Sequence, residues 1–172
     1  MKLFKAFLAG AAVGVVMVGA YEIVGAQARS TPAAGTPQAA NAQTIERGRY
    51  IVEIGGCNDC HTAGYANAGG KADEKDRLKG DTLGYSGAWG TTYPTNLRLT
   101  INSRTEDQWL TYAKKLDTRP PMPWFNVRAM TDTDLRAVYQ YIKQLPGPAG
   151  TASPAFLAPG KAPKPPFIQW PK

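Results

Sequence analysis

The chain has 172 residues, which is enough for one domain of ordinary size with extensions. Its 20 lysines and arginines outnumber 13 aspartates and glutamates, and the formal net charge of +7 is compatible with a soluble surface or with attraction to an acidic partner. Two cysteines and one histidine exclude a zinc site built within the chain from about four nitrogen and sulfur ligands. One histidine also excludes a metal site with two histidine ligands.

The first 28 residues have the pattern of an export signal. Lys2 and Lys5 supply positive charge, an apolar run follows over residues 6–21, and residues 26–28 (Ala-Gln-Ala) fit the rule for cleavage after residue 28. The alternative is an uncleaved membrane anchor, because the apolar stretch approaches the roughly 20 residues that a spanning helix needs. Either way, we expect the rest of the chain outside the cytoplasm, free in the periplasm or anchored facing it.

Composition separates a linker from a predicted domain. Residues 29–43 are rich in Ala, Gly, Pro, Thr and Gln and are predicted to form a flexible linker. The domain is predicted over residues 44–147. Its first helix is expected over residues 44–54, where Ile51 and Ile54 recur on one face and two glycines then end the helix.

Directly after those glycines come Cys57, Cys60 and His61, which include every cysteine and histidine of the chain. They form the motif Cys-x-x-Cys-His, which is typical of covalent c-type haem attachment. Each thiol can form a thioether with a haem vinyl group, and the imidazole of His61 can then bind the iron. A thioredoxin-like redox pair would need a βαβ context, and a plain disulfide would leave His61 without a role.

Two more helices are predicted beyond the motif. Residues 80–100 are rich in Gly, Thr and aromatic residues and are expected to form a loop with little regular structure. A helix is expected from Thr105, where Gln108 completes a capping box. The last helix is expected over residues 132–145, with Pro146 after it.

Methionine is the usual second iron ligand in electron-transfer c haems, although Tyr and Lys also occur as haem ligands. Met1 and Met17 lie in the predicted export signal, which leaves Met122 and Met130. Met122 lies between two prolines, which restrict the backbone and favour a stiff, extended loop. Such a loop can hold a thioether over a ring with little entropy lost on binding.

Met130 has a structural role that competes with ligation. It precedes Thr131, a predicted N-cap, and Asp134 three residues on makes a variant of the capping box. Met130 and Leu135 then occupy the two positions of a hydrophobic staple. We therefore predict His61 and Met122 as the iron ligands, with Met122 filling a core gap as the alternative.

The C-terminal tail, residues 148–172, is rich in Pro, Ala and Gly. An extended tail of polyproline type would suit this composition. We favour a strap that packs on the domain through Phe156, Phe167 and Trp170. Partner docking is the third interpretation.

Several segments together are similar to those of class I c-type cytochromes with a single haem. The closest likeness is to cytochrome subunits and domains that accept electrons from periplasmic dehydrogenases, such as membrane-associated alcohol dehydrogenase. Besides the haem motif, the segments that carry this resemblance are Gly87–Leu97 (GAWGTTYPTNL), Met122–Phe125 (MPWF), Met130–Leu135 (MTDTDL) and Tyr141–Ile142.

The resemblance implies an all-α fold of three or four helices around one covalently bound haem. Gly48 should lie where the first and last helices cross, against the region of Tyr139 and Tyr141, and Met122 should be the axial ligand. Related proteins often have a proline soon after the motif, whose neighbourhood accepts a hydrogen bond from the ligand imidazole. None occurs here before Pro94, so that acceptor stays unassigned. The candidates for contact with the haem face or propionates are Trp89, Tyr93, Arg98 and Trp124.

These features predict a one-electron carrier with one haem c and no catalytic residue. With both axial positions filled, the iron has no open site for a substrate. The expected partners are a dehydrogenase donor and an oxidase or another cytochrome as acceptor, with no nucleic acid. The N-terminal segment could provide membrane association. The alternatives are a permanent haem subunit of a dehydrogenase or oxidase complex and, less favoured, a haem catalyst or gas sensor.

Overall fold

The computed structural model describes residues 37–171, with side chains from residue 41. The predicted export signal and residues 29–36 lie outside the described residues. No helix of the described part is both long and apolar enough to cross a membrane. The elements in chain order are α1 (Pro37–Ile54), α2 (Cys57–His61), β1 (Gly84–Gly87), β2 (Gly90–Thr92), α3 (Leu97–Asn102), α4 (Glu106–Lys114), α5 (Trp124–Ala129), α6 (Asp132–Gln144) and β3 (Phe167–Gln169), with a 3₁₀ turn at Glu74–Asp76.

The prediction of an all-α fold is wrong, because a small sheet accompanies the helices and the fold is mixed α/β. Strand β1 pairs antiparallel with β2 and parallel with β3, so β1 is the central strand. The strands have only three or four residues, too few to show the alternation of apolar and polar residues that identifies a strand in a sequence. The region expected to be a loop over residues 80–100 therefore contains β1, β2 and part of α3.

Helices α1 and α6 cross closely at Gly48, as the family resemblance implied. A Cβ atom on Gly48 would lie 2.0 Å from the carbonyl oxygen of Ala137 and 2.8 Å from Cβ of Tyr141. Only glycine fits at this crossing, which explains a residue that otherwise weakens a helix by about 1 kcal/mol relative to Ala. Helix α1 begins at Pro37, so residues 37–43, assigned to the linker by composition, are helical.

The predicted caps of α4 and α6 are confirmed. Thr105 and Gln108 form the reciprocal capping box at the start of α4. The side chain of Thr131 accepts a hydrogen bond of 3.1 Å from the amide of Asp134 at the start of α6. The described core is built mainly from α1, α4 and α6, with contributions from α3 and from residues outside the helices. It comprises Ile51, Val52, Leu78, Ile101, Trp109, Ala113, Leu135, Val138, Tyr141, Ile142 and Leu145.

The C-terminal tail packs along both edges of the β1–β2 hairpin. Leu157 exchanges two backbone hydrogen bonds with Thr91, at 2.8 and 3.0 Å, beside β2. Strand β3 pairs with β1 on the other side. The tail is thus held by backbone hydrogen bonds as well as by its aromatic residues.

Candidate haem site

The haem motif forms the short helix α2. Cys57, Cys60 and His61 occupy positions i, i+3 and i+4, which lie on one face of a helix. Gly56, at φ 65°, supplies the left-handed turn that separates α2 from α1. Both cysteines are free thiols rather than a disulfide. The two cysteine sulfur atoms and the imidazole therefore lie on the same side of one helical turn.

The imidazole of His61 is oriented by a backbone carbonyl. Its Nδ1 lies 2.7 Å from the carbonyl oxygen of Thr95, and the ring is buried. A carbonyl can only accept, so Nδ1 carries the proton and Nε2 is the nitrogen left for iron. Burial also lowers the pKa of His61, which keeps the imidazole neutral as a metal ligand requires.

The acceptor that the sequence left unassigned is therefore Thr95, the residue directly after Pro94. A backbone carbonyl leaves no mark in a sequence, because every residue has one. The relevant signal was the position of Pro94, which lies next to the acceptor although it is far from the motif along the chain.

The Cys57 thiol is not suited to redox or metal-binding chemistry of its own. Burial raises its pKa to about 11, so it stays protonated and is a poor site for thiolate chemistry. The hydroxyl of Tyr85 donates a weak hydrogen bond to Sγ of Cys60 at 3.7 Å. Tyr85, on strand β1, was not foreseen, since its contact with Cys60 depends on the folding of the hairpin. The residues present fit one haem c.

Residues 115–123, between α4 and α5, form the loop that carries Met122, and this Met122 loop is connected to the same hairpin. The hydroxyl of Thr92 on β2 donates to the carbonyl oxygen of Pro120 at 2.7 Å, and the amide of Trp124 donates to the carbonyl of Met122 at 2.9 Å. The hairpin therefore links the haem motif, through Tyr85, with the loop that carries Met122.

The two candidate methionines have different environments. Met130 packs against the core, and its carbonyl accepts a hydrogen bond of 2.6 Å from Nζ of Lys114. Met122 is half-buried and lies outside the described core cluster. Its ligation of the iron opposite His61 stays a prediction, one that this difference favours.

Two of the candidates for haem contact, Arg98 and Trp89, also differ in whether their donors already have partners. Arg98 is buried, and its guanidinium donates to the carbonyls of Arg77 and Pro146, both at 2.7 Å, and to that of Glu74. Those contacts use Nε, Nη1 and Nη2, so Arg98 connects loops rather than being free for a propionate. By contrast, the buried Nε1 of Trp89 has no hydrogen-bond partner among residues 41–171.

A sequence model of the cytochrome c family matches residues 45–146, more than half of the chain, and includes both the haem motif and the Met122 loop. The chain belongs to the cytochrome c family. Its cofactor is accordingly a covalently bound haem c. The prediction of a c-type cytochrome from the residues is confirmed.

A curated relative supports the same conclusion. The cytochrome is 27% identical over 172 residues to the fructose dehydrogenase cytochrome subunit of Gluconobacter japonicus. The match covers 92% of this chain but 32% of the relative, so the chain spans about a third of the relative's length. No solved structure gives a significant match.

Proposed function

We propose that this cytochrome carries one electron at a time from an exported dehydrogenase toward the respiratory chain. The observation that supports this most is the single haem motif, in which the carbonyl of Thr95 orients His61 and which the hairpin connects to the loop that carries Met122. The name of the Gluconobacter relative supports a dehydrogenase as the donor. Two protein ligands would leave no position for a substrate, so the cytochrome would not be an enzyme by itself.

Each part of the site has a role in this function. Bound haem c supplies an iron that alternates between the ferrous and ferric states. Cys57 and Cys60 hold the group permanently, so it cannot be lost outside the cell. The hydrogen bond that Nδ1–H of His61 donates to the carbonyl of Thr95 holds the ring in one tautomer and orientation, which limits structural change on electron transfer. A thioether from Met122 would raise the reduction potential.

A permanent complex is the second candidate, because the relative is named as a subunit. The periplasm is the proposed location, with the N-terminal segment either removed or retained as an anchor. Intact mass distinguishes the two: a mature chain that begins at Arg29 supports release. Size-exclusion chromatography of the native protein distinguishes a free carrier from a subunit.

The proposed function is tested with native membranes. Membranes of the source organism, from a strain that lacks this cytochrome, are supplied with fructose or ethanol and mixed with the purified ferric holoprotein. We expect reduction of the haem, followed by its absorbance. Denaturing electrophoresis of the same preparation should show haem attached to the polypeptide, and the double variant Cys57→Ala, Cys60→Ala should show none. An attached haem that neither substrate reduces would contradict a dehydrogenase of these classes as donor.

A further inference from the structure

One face of the hairpin sheet combines residues of the hairpin with residues of the C-terminal tail. Tyr85 pairs with Thr92 and with Ile168, and directly paired residues share a face. Side chains alternate along a strand, so Trp170 is on the face of Ile168. Phe156 precedes Leu157, the partner of Thr91, and alternation places it on this face as well.

This face lies next to the haem site. Tyr85 contacts Sγ of Cys60 at 3.7 Å, and Thr92 contacts the carbonyl of Pro120 in the Met122 loop at 2.7 Å. The ring of Trp170 has its centroid 6.4 Å from that of Tyr85. A chain of contacts thus runs from Cys60 through Tyr85 to Trp170.

The tail part of this face is exposed and apolar. Phe156, Ile168 and Trp170, which we name the tail patch, are 36%, 44% and 41% exposed. Tryptophan and tyrosine are the residues on which binding energy at protein interfaces is concentrated. A second aromatic residue supports Trp170 from the hairpin turn, since Trp89 packs edge-to-face against it at 6.1 Å.

Every charged residue in the described part of the tail is positive, and so is the cation that contacts Phe156. Lys161 and Lys164 are exposed, and residues 148–171 contain no acidic residue. The guanidinium of Arg119, from the Met122 loop, lies 3.8 Å from the ring centroid of Phe156. None of these three cations forms an ion pair with a residue that the structure describes.

We propose that the tail patch is the docking surface for the electron-donating protein, and that the electron enters through Trp170 and Tyr85 toward Cys60. The inference rests on the proposed function. The fitting partner surface has an apolar centre with acidic residues around it. One electron passes from the reduced donor to the ferric iron, so the donor is oxidised and the iron is reduced. No bond and no proton changes. Tunnelling rates fall steeply with distance, which favours entry where protein contacts lead directly to a thioether sulfur.

The test compares two exposed aromatic residues. Trp170→Ala removes the centre of the tail patch, whereas Phe125→Ala removes a side chain that is 59% exposed on the Met122 side and is the matched control. Both holoproteins are mixed with the same membranes, with fructose or ethanol as reductant. We expect Trp170→Ala to lower the second-order rate constant about tenfold, as for a central interface tryptophan, and Phe125→Ala to change it less than about twofold.

A charge variant covers the case in which Trp170→Ala does not fold. Lys164→Glu alters an exposed residue without an ion pair, and should slow reduction several-fold at low salt but little near 1 M, where charges are screened within about 3 Å. The midpoint potential should stay at the wild-type value in each folded variant, and so should the rate of reduction by dithionite near 1 M salt, where the charge of that anion is screened.

The outcomes separate the two proposals. A wild-type holoprotein that the membranes do not reduce would overturn the proposed function and this inference with it. Normal reduction of the wild type, with Lys164→Glu and any folded Trp170→Ala equally fast, would overturn the inference alone. An equal loss in Phe125→Ala would place docking on the Met122 side and would also overturn it.

Discussion

His61 and Thr95 show how one hydrogen bond prepares a metal ligand. The contact of 2.7 Å between Nδ1 and the carbonyl oxygen determines the tautomer, and burial favours the neutral ring. Cys57 and Cys60 need no such preparation, because a thioether sulfur has no proton to lose and the bond itself holds the haem. The chemistry of the site thus depends on very few side chains. The second iron ligand, predicted to be Met122, is tested by substitution.

Met122 and Met130 are distinguished by a pair of variants. Met122→Ala should abolish the weak far-red charge-transfer band from sulfur to ferric iron and should lower the midpoint potential. Met130→Ala should keep the band and lower the free energy of unfolding by about 1–2 kcal/mol, less than for a fully buried methionine because Met130 is half-buried. Absorbance of the ferric protein and denaturant titration measure both. Loss of the band in Met130→Ala alone would transfer the ligand role to Met130.

Among the elements, the crossing of α1 and α6 holds the domain together beside the haem motif. Helix α2 follows α1 after only two residues, so the position of α1 determines where the motif lies. An ion pair of 3.0 Å between Arg47 on α1 and Asp134 at the start of α6 adds to the packing at Gly48. The hairpin and the tail then connect this helical unit to the Met122 loop.

Gly48→Ala tests the crossing. Its Cβ would overlap the carbonyl oxygen of Ala137, so one helix must move, and we expect a loss of about 3 kcal/mol or more in the free energy of unfolding. Gln43→Ala, at an exposed position of the same helix, is the control and should be neutral or slightly stabilising because Ala favours helix. Denaturant titration of the holoproteins measures both. A Gly48→Ala protein as stable as the control would show that the helices do not cross as closely as described.

The ion pair at the start of α6 should make stability depend on pH. The hydrogen bond from Arg47 lowers the pKa of Asp134 below its ordinary value. A lowered pKa in the folded state means that the contribution is present above the unfolded pKa of about 4 and is lost as pH falls through the folded value. Asp134→Asn should therefore have a lower Tm than wild type at pH 7, by a small amount because the pair is exposed, and the difference should shrink below pH 4. A difference in Tm that does not change with pH would show that the ion pair with Arg47 does not contribute to stability.

For the whole molecule, electrostatics should affect how partners meet. The formal charge of +7 favours an acidic partner, and so do Arg119, Lys161 and Lys164, which form no ion pair with a described residue. Electron-transfer encounters of this type usually bury less than about 1,200 Å², so they are weak and short-lived. The surface, rather than the buried core, then determines the rate of encounter.

Reduction by the donor should slow as salt rises. The Debye length shortens from about 10 Å at 0.1 M to about 3 Å at 1 M, which removes long-range attraction. The rate constant for reduction of the holoprotein by the membranes is measured across this range. Reduction by dithionite is the reference, and its rate is corrected for the salt dependence that the negative charge of dithionite causes. A rate that is flat or increases with salt would instead support apolar docking or a permanent complex.

Local sequence features were enough to identify the haem motif, the family of the protein and the first residues of two helices, α4 and α6. The caps at Thr105 and Thr131 and the motif at Cys57, Cys60 and His61 are each contained within five residues, so neighbouring side chains suffice to define them. The same local reading favoured Met122 over Met130, because Met130 already has a place in a staple.

Only the tertiary structure decided the mixed α/β fold, the contact of Tyr85 with Cys60, and Thr95 as the acceptor for His61. Strand β3 pairs with β1 across some 80 residues, and no local pattern carries information on pairing over such a separation. Thr95 acts through its backbone, which is the same in every residue. In the sequence Arg98 was a candidate for contact with the haem face or its propionates, and only the fold shows that its guanidinium donates to three backbone carbonyl groups.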